Sequence, residues 1–480
     1  MKSSAGILVL LSLLGALTFA SCRGGDFPEP VPGETVKDPG TQDTQDPENP
    51  ENPGNQGNPG STDTVPLLPQ YKKVNTFPTI YITTDDGRPV TSKTVYKCGK
   101  IRFEDPEGMY SDSTVTESAM QVRGRGNTTW GYDKKPYRIK LDSKHHVFGM
   151  RSDKDWVLLA EYKDHSLLHN TVAFQLARLA GMPWTPECRA ADVYFNGSYA
   201  GCYTLVEHKE TGKHKVDIDP GAGEFYLEID DKDDDDVRFR TPKYYKVVKF
   251  HDPDLPDDGQ FARVQDFFSE VETVLASSSF ADPETGYRKY LDVPSFARFF
   301  IVEELVKNVD GNFRLSTYLS LGKDGKLTMA HIWDTDLAFG TTDIYTQYGY
   351  GCWNTGITGE RYDVDDSPTG WYVKICGGRP LGWEDPNGQT SWFQRMFLDP
   401  AFVEDVKAEW NACREKFGSI PDYIDALYDF NSASYARNSD RWTSNSYWGE
   451  DFSDYASAKD EMKKFYSKRL SWMDGAINSL

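Results

Sequence analysis

Apolar and polar residues alternate through 71–104, in Thr79-Ile80-Tyr81-Ile82-Thr83, Val95-Tyr96 and Ile101-Arg102-Phe103, with a turn signal at Asp85-Asp86-Gly87. A period of two between turn residues predicts antiparallel strands. Pro136-Tyr137-Arg138-Ile139-Lys140-Leu141 repeats the pattern, and Trp156-Val157-Leu158-Leu159-Ala160 reads as a short buried strand. The spacing then changes to that of a helix over Asp164–Ala180, with Asp164 placed to cap it and Gly181 to stop it. A hairpin follows, Ala191–Phe195 and Tyr199–Leu205 about the Asn196-Gly197 turn. Glu224–Ile229 and Lys246–Phe250 continue the sheet, and Leu327–Trp333 is another buried strand. Helical periodicity runs from Phe261 to Val306, clearest over Phe296–Lys307, and returns over Ser391–Leu480. The stretch 341–390 is irregular and rich in Tyr, Gly and Trp; it is read either as an insertion packed on the body or as a sugar- or peptide-binding segment. These patterns predict an α+β body with a β-rich N-terminal half and a helical C-terminal half.

The N-terminus carries a different signal. Met1-Lys2 precedes an apolar run over Gly6–Ala20, too short for a comfortable membrane span and ending in small residues, so it reads as an export signal. Cys22, after Ala20-Ser21, resembles the acylated Cys of a bacterial lipobox, with Phe19 where Leu is more usual. Residues 23–66 repeat Pro among Asp, Glu, Asn, Gln, Thr and Gly without apolar periodicity, the composition of an extended tether. The expected layout is therefore a lipoprotein signal (1–22), a tether (23–66), a β-rich segment (67–118) and a main domain (119–480). It places the body outside the cytoplasm, held to a bacterial membrane by lipid on Cys22.

The 480 residues include 53 basic and 74 acidic side chains, a formal charge of −21. That balance argues against a general nucleic-acid binder and leaves any anionic ligand needing a local basic pocket. The 27 Tyr, 26 Phe and 12 Trp suit an extracytoplasmic or carbohydrate-binding protein. Cys98, Cys188, Cys202, Cys352, Cys376 and Cys413 show no CxxC or zinc spacing, and export permits disulfides of open connectivity. Cys188 and Cys202 are not directly opposed across the hairpin and are not read as a bridge.

Against this background a few clusters stand out. Trp333-Asp334-Thr335-Asp336-Leu337-Ala338-Phe339-Gly340 sets two carboxylates after a buried strand, where packing alone does not explain them. An Asp at a strand end, followed by Phe-Gly, is a way of holding Mg²⁺ against nucleotide phosphates. Arg123-Gly124-Arg125-Gly126-Asn127-Thr128-Thr129-Trp130 supplies free backbone N–H groups and cations suited to an anion, although Gly-Arg-Gly is also an ordinary turn. Lys134-Lys135 and Lys140 follow on the next strand. Asp310, in Lys307-Asn308-Val309-Asp310-Gly311-Asn312, fits either a base for an attacking hydroxyl or a helix-ending turn. The run Asp230–Asp236 fits a solvated loop better than a Ca²⁺ site, having no EF-hand spacing. Arg437 to Trp442 and Arg469 to Trp472 read as structural Arg–Trp pairs.

In their order, Arg123–Trp130 with Lys134–Leu141, Trp156–Ala160 with Asp164, Gly201–Glu207, and Trp333–Gly340 resemble the CotH kinase-like family over about residues 75–475. The resemblance implies an atypical protein kinase-like fold using Mg²⁺ and ATP to phosphorylate Ser or Thr hydroxyls. By motif position it implies Lys135 or Lys140 on phosphate, with Arg123, Gly124, Arg125, Gly126 and Asn127 around the nucleotide. It further implies Glu207 orienting the lysine, Asp310 as catalytic base, and Asp334 with Asp336 on the metal. One departure stands out: Ser316 lies near where family members carry an Asn, and Asn312 is at another spacing. Two functions follow, a kinase acting on an exported protein, and a catalytically silent surface protein that binds protein or glycan.

Overall fold

The computed structural model describes residues 70–110, 115–230, 237–308, 311, 313, 315–341, 367–374, 391–442 and 454–480, with backbone alone at 352–353, 361–362, 444–445 and 450–451. Cys22, the 23–66 tether, Asp310, Asn312, Cys376, residues 231–236 of the acidic run and most of 341–390 lie outside the described residues, as does the Cys352 side chain.

Seven strands close a barrel: β1 (Thr79–Thr84), β2 (Lys97–Glu104), β3 (Glu117–Gly124), β4 (Tyr137–His145), β5 (Asp153–Leu159), β6 (Cys188–Phe195) and β7 (Ser198–Glu207). Their alternation is the cause: Ile80, Ile82, Ile101, Phe103, Met120, Val122, Ile139 and Leu141 fill one face and are buried. The spatial order is β1-β2-β3-β4-β5-β7-β6, and parallel pairing of β1 with β6, Thr79 opposite Asp192, closes the ring and leaves no edge. The β6–β7 turn has Asn196 and Gly197 both left-handed, at φ 49° and 79°, as an Asn-Gly hairpin requires. The sequence boundary expected at residue 118 falls inside β3, which is hydrogen-bonded to both β2 and β4 in one barrel.

A second sheet, wholly antiparallel, has the order β12-β11-β8-β10-β9, from β8 (Phe225–Ile229), β9 (Arg238–Arg240), β10 (Val247–Asp252), β11 (Thr317–Leu321) and β12 (Leu327–His331). The expected halves are therefore interleaved: β11 and β12 come after the long helices α2 (Asp258–Ala276) and α3 (Val293–Val306). α3 is apolar almost all round, with Phe296, Phe299, Phe300, Ile301 and Leu305 buried, so it must be central. It packs against β12, α1 (His169–Ala180), α5 (Pro400–Phe417) and α7 (Tyr455–Asn478), α4 being the short Trp392–Met396. α6 (Ile420–Arg441) ties the helices to the barrel, where Asn438 Oδ1 accepts the Cys202 N–H at 2.9 Å and Arg437 pairs with buried Asp192.

α1 stops where expected, at Gly181 with φ 74°. It starts later than expected, at His169, because Asp164 spends its carboxylate on the intervening turn: it accepts the Ser166 N–H at 2.7 Å and hydroxyl at 2.6 Å, and still reaches the His169 N–H at 2.7 Å. Cys98 is disulfide-bonded, while Cys188, Cys202 and Cys413 are buried free thiols. Among the described residues no helix is long and apolar enough to cross a membrane.

Candidate functional site

β12 delivers Ile332 and Trp333 into the core, after which the chain reverses with Asp334 at φ 63°. Such a conformation is costly for a residue with a Cβ and persists only where its surroundings enforce it. Here they do. Asn170 accepts both the N–H and the hydroxyl of Thr335, each at 3.0 Å, and a ring nitrogen of His169 meets the Asp336 carbonyl at 3.0 Å. The Phe339 N–H donates to the Val306 carbonyl at 2.8 Å, tying the turn to the end of α3. Thr335 is fully buried, whereas Asp334 and Asp336 on either side stay partly accessible. The Ser316 hydroxyl donates to the Asp334 carboxylate at 3.3 Å. Lys307, Phe313, Ser316 and Phe339 are left-handed as well, at φ 51°, 62°, 46° and 57°, so backbone strain is concentrated around this turn.

Two cations face these carboxylates. Arg125, in the loop after β3, has its guanidinium 5.9 Å from the Trp333 ring; burial pulls its pKa down, and the charges of Asp334 and Asp336 oppose that. Lys209, two residues past β7, lies 3.8 Å from the Tyr318 ring centre, 6.0 Å from that of Trp333, and 3.8 Å from the Glu228 carboxylate. Burial lowers Lys209 too, with Glu228 and Asp334 opposing. Although burial works against it, Glu228 is held down at about 2 by Lys209, by His251, which bonds it at 2.5 Å, and by Lys249. Burial drives the neighbouring His208 well below its ordinary range, helped by the charges of Arg138, Lys215, Lys209 and Arg125. Arg125 and Lys209 beside the two partly open carboxylates make a site suited to a polyanion bridged to a divalent cation.

The structure distributes the residues expected from sequence unevenly. Arg125, Asp334 and Asp336 come together. Arg123 instead donates to the Lys93 carbonyl and lies over the Tyr96 ring at 5.2 Å. Gly124 is required by packing, since a Cβ there would lie 2.4 Å from the Trp130 ring, and Gly126 by its φ of 81°. Asn127 is exposed and accepts from Lys93 at 3.3 Å. Lys135 caps the Trp130 carbonyl at 2.8 Å, and Lys140 sits 3.7 Å from Asp155 on the β4–β5 face. Glu207 is buried against Arg151 and accepts the Glu187 N–H at 2.7 Å, so its cation is Arg151 and neither Lys135 nor Lys140. Near Asp334 the lysine–glutamate pair is Lys209 with Glu228. Its sequence signal was available: a lysine just past the fully buried end of a strand, Cys202–Glu207.

A model of the CotH kinase protein family matches residues 122–473. The chain belongs to the CotH family. A search among curated proteins finds no match to it. The CotH match begins on β3, so β1 and β2, which close the barrel, lie ahead of it. Among the described residues no three His, Cys, Asp or Glu side chains converge as a self-sufficient metal cage. Mg²⁺ needs no such cage, since it is commonly held by one or two carboxylates with waters and phosphate oxygens. The donor set of Asp334 and Asp336, beside Arg125 and Lys209, fits that ion.

Proposed function

We propose that this CotH-family protein is an exported, lipid-anchored protein kinase that transfers the γ-phosphoryl group of ATP to a Ser or Thr hydroxyl of an exported protein. The observation that carries the reading is the convergence of Arg125 and Lys209 on Asp334, whose charge acts on both half-buried cations. Arg125 and Lys209 would hold phosphate oxygens, and Asp334 with Asp336 would hold Mg²⁺, which when bound neutralises charge on the transferring group. Asp310 is the base of this reading by its family position. Cys22 is its lipid attachment, which sets the body on the extracytoplasmic side of a bacterial membrane.

Calorimetric titration of the purified full-length chain with ATP, with and without Mg²⁺, tests it against Asp334→Ala. Mg²⁺-dependent binding that is lost in the variant is the expected result, and intact protein that binds no nucleotide would overturn the kinase reading. A second reading, a catalytically silent CotH-type surface protein that binds protein or glycan, is favoured by Ser316. That residue contributes one hydroxyl to Asp334 where an Asn would offer an amide oxygen to a second metal. Binding of Mg²⁺-ATP without phosphoryl transfer to any added protein would select it.

A further inference from the structure

Asn170, in the first turn of α1, is separated by 165 positions from Thr335, yet its amide is fully engaged around that residue. Oδ1 accepts twice from Thr335, so Nδ2 must be the donor, and it donates to Glu161 at 2.8 Å. The amide orientation is thus fixed from behind by a buried carboxyl, and from in front it fixes the residue between Asp334 and Asp336. The turn it holds has Asp334 left-handed, which hydrogen bonds from outside the loop must stabilise. We propose that Asn170 is a positioning residue that locks the Asp334–Asp336 turn in its ligand-holding shape, with Glu161 setting the direction of its amide. The metal role of that turn rests on the reading given above; the lock itself does not.

Glu161 has no exit to solvent: it is buried, at φ 49°, among Lys134, Asp164, Thr204, Cys188 and Cys202. Burial and the charge of Asp164 push its carboxyl up to about 7, while Asn170, Thr204 and Lys134 pull it down. Lys134 is anchored in turn on the Cys202 carbonyl, so the relay runs from the barrel wall to the carboxylate turn.

The relay has a donor–acceptor polarity that can be exchanged. In Asn170→Asp the residue still accepts from Thr335 but confronts Glu161 with a second carboxylate, and adding Glu161→Gln restores a donor between them at unchanged net charge. Hydrogen–deuterium exchange of peptides covering 332–340, on the metal-free full-length chain, reads the lock directly. Exchange about tenfold faster is expected in Asn170→Ala and Asn170→Asp, returning toward wild type in the Glu161→Gln/Asn170→Asp double variant. Mn²⁺ titration followed by electron paramagnetic resonance should show the same order of affinities. Unchanged exchange in Asn170→Ala, or a double variant no better than Asn170→Asp, would overturn the lock. Wild-type protein that takes up no Mn²⁺ while the exchange pattern holds would instead overturn the metal reading alone.

Discussion

The hydroxyl of Ser316 donates to the carboxylate of Asp334 across 3.3 Å, joining two residues that are both in the left-handed region. Ser316 lies near the position where the resemblance implies an Asn, a residue that adopts this backbone more readily than Ser. Ser316→Ala should weaken Mg²⁺-ATP binding roughly fivefold, the worth of one hydrogen bond of about 1 kcal/mol. Ser316→Asn should keep or raise the affinity. Calorimetry on both variants decides it, and an Ala variant with wild-type affinity would remove Ser316 from the site.

Lys209, and neither Lys135 nor Lys140, should carry nucleotide affinity. A charge-assisted bond to phosphate is worth about 1.5–3 kcal/mol, so Lys209→Ala should cost at least about tenfold in ATP affinity. Lys135→Ala and Lys140→Ala, which touch the Trp130 carbonyl and Asp155, should stay within about twofold. Lys209→Met keeps the apolar stem over Tyr318 and separates loss of charge from loss of packing. Equal losses in all three positions would mean that Lys209 does not mark where phosphate binds.

Much of the scaffold was legible because it is local. β1, β2 and β4 follow from alternation, β5 from its short apolar run, the β6–β7 hairpin from Asn196-Gly197, and the helix stop from Gly181, whereas β3 is not among the strands predicted. That Asp334 and Asp336 follow a buried strand and stay partly accessible was legible too. Lys209 was not, because what matters is its approach to Glu228 and Tyr318, on other strands of another sheet. Glu207 was misassigned for the same reason: Arg151 reaches it from 56 positions away, and no spacing rule connects the two. The Asn170–Thr335 contact joins α1 to the turn after β12, 165 positions apart, and only the fold brings its halves together.

Glu304 and Arg469 form a fully buried ion pair at 2.7 Å between α3 and α7. Glu304 also accepts the N–H groups of Tyr372 and Lys374, and Arg469 donates to the Glu304 and Gly370 carbonyls, so the pair fastens the strap 367–374 to the core. Removing one partner leaves an uncompensated buried charge, so Arg469→Met should cost about 3–5 kcal/mol in urea unfolding. Glu304→Gln/Arg469→Met, which buries no charge, should recover part of that loss. A single variant within about 1 kcal/mol of wild type would show that the pair contributes little.

His331 sets a pH dependence whose sign is fixed by its burial. One ring nitrogen, Nδ1, donates to the Ile332 carbonyl at 3.0 Å, and because burial disfavours the charged ring, Nε2 is left to accept from the Tyr226 hydroxyl at 2.7 Å. Burial lowers its pKa from 6.5 to about 3, with the charges of Lys209 and His251 adding to the effect. Below 6.5 the unfolded chain takes up a proton that the native ring refuses, so this contribution is complete above that pH and is lost as pH falls toward about 3. The loss amounts to about 1.4 kcal/mol per pH unit within the window. His331→Gln keeps a donor and an acceptor but cannot titrate, so its urea-unfolding stability should fall less steeply between about pH 6 and about pH 4.5, by up to that slope. His208 and Glu228, which also shift, are present in both proteins and cancel in the comparison. Parallel pH profiles for the two proteins would mean that His331 is protonated in the native state, and that the Tyr226 hydroxyl faces a donor.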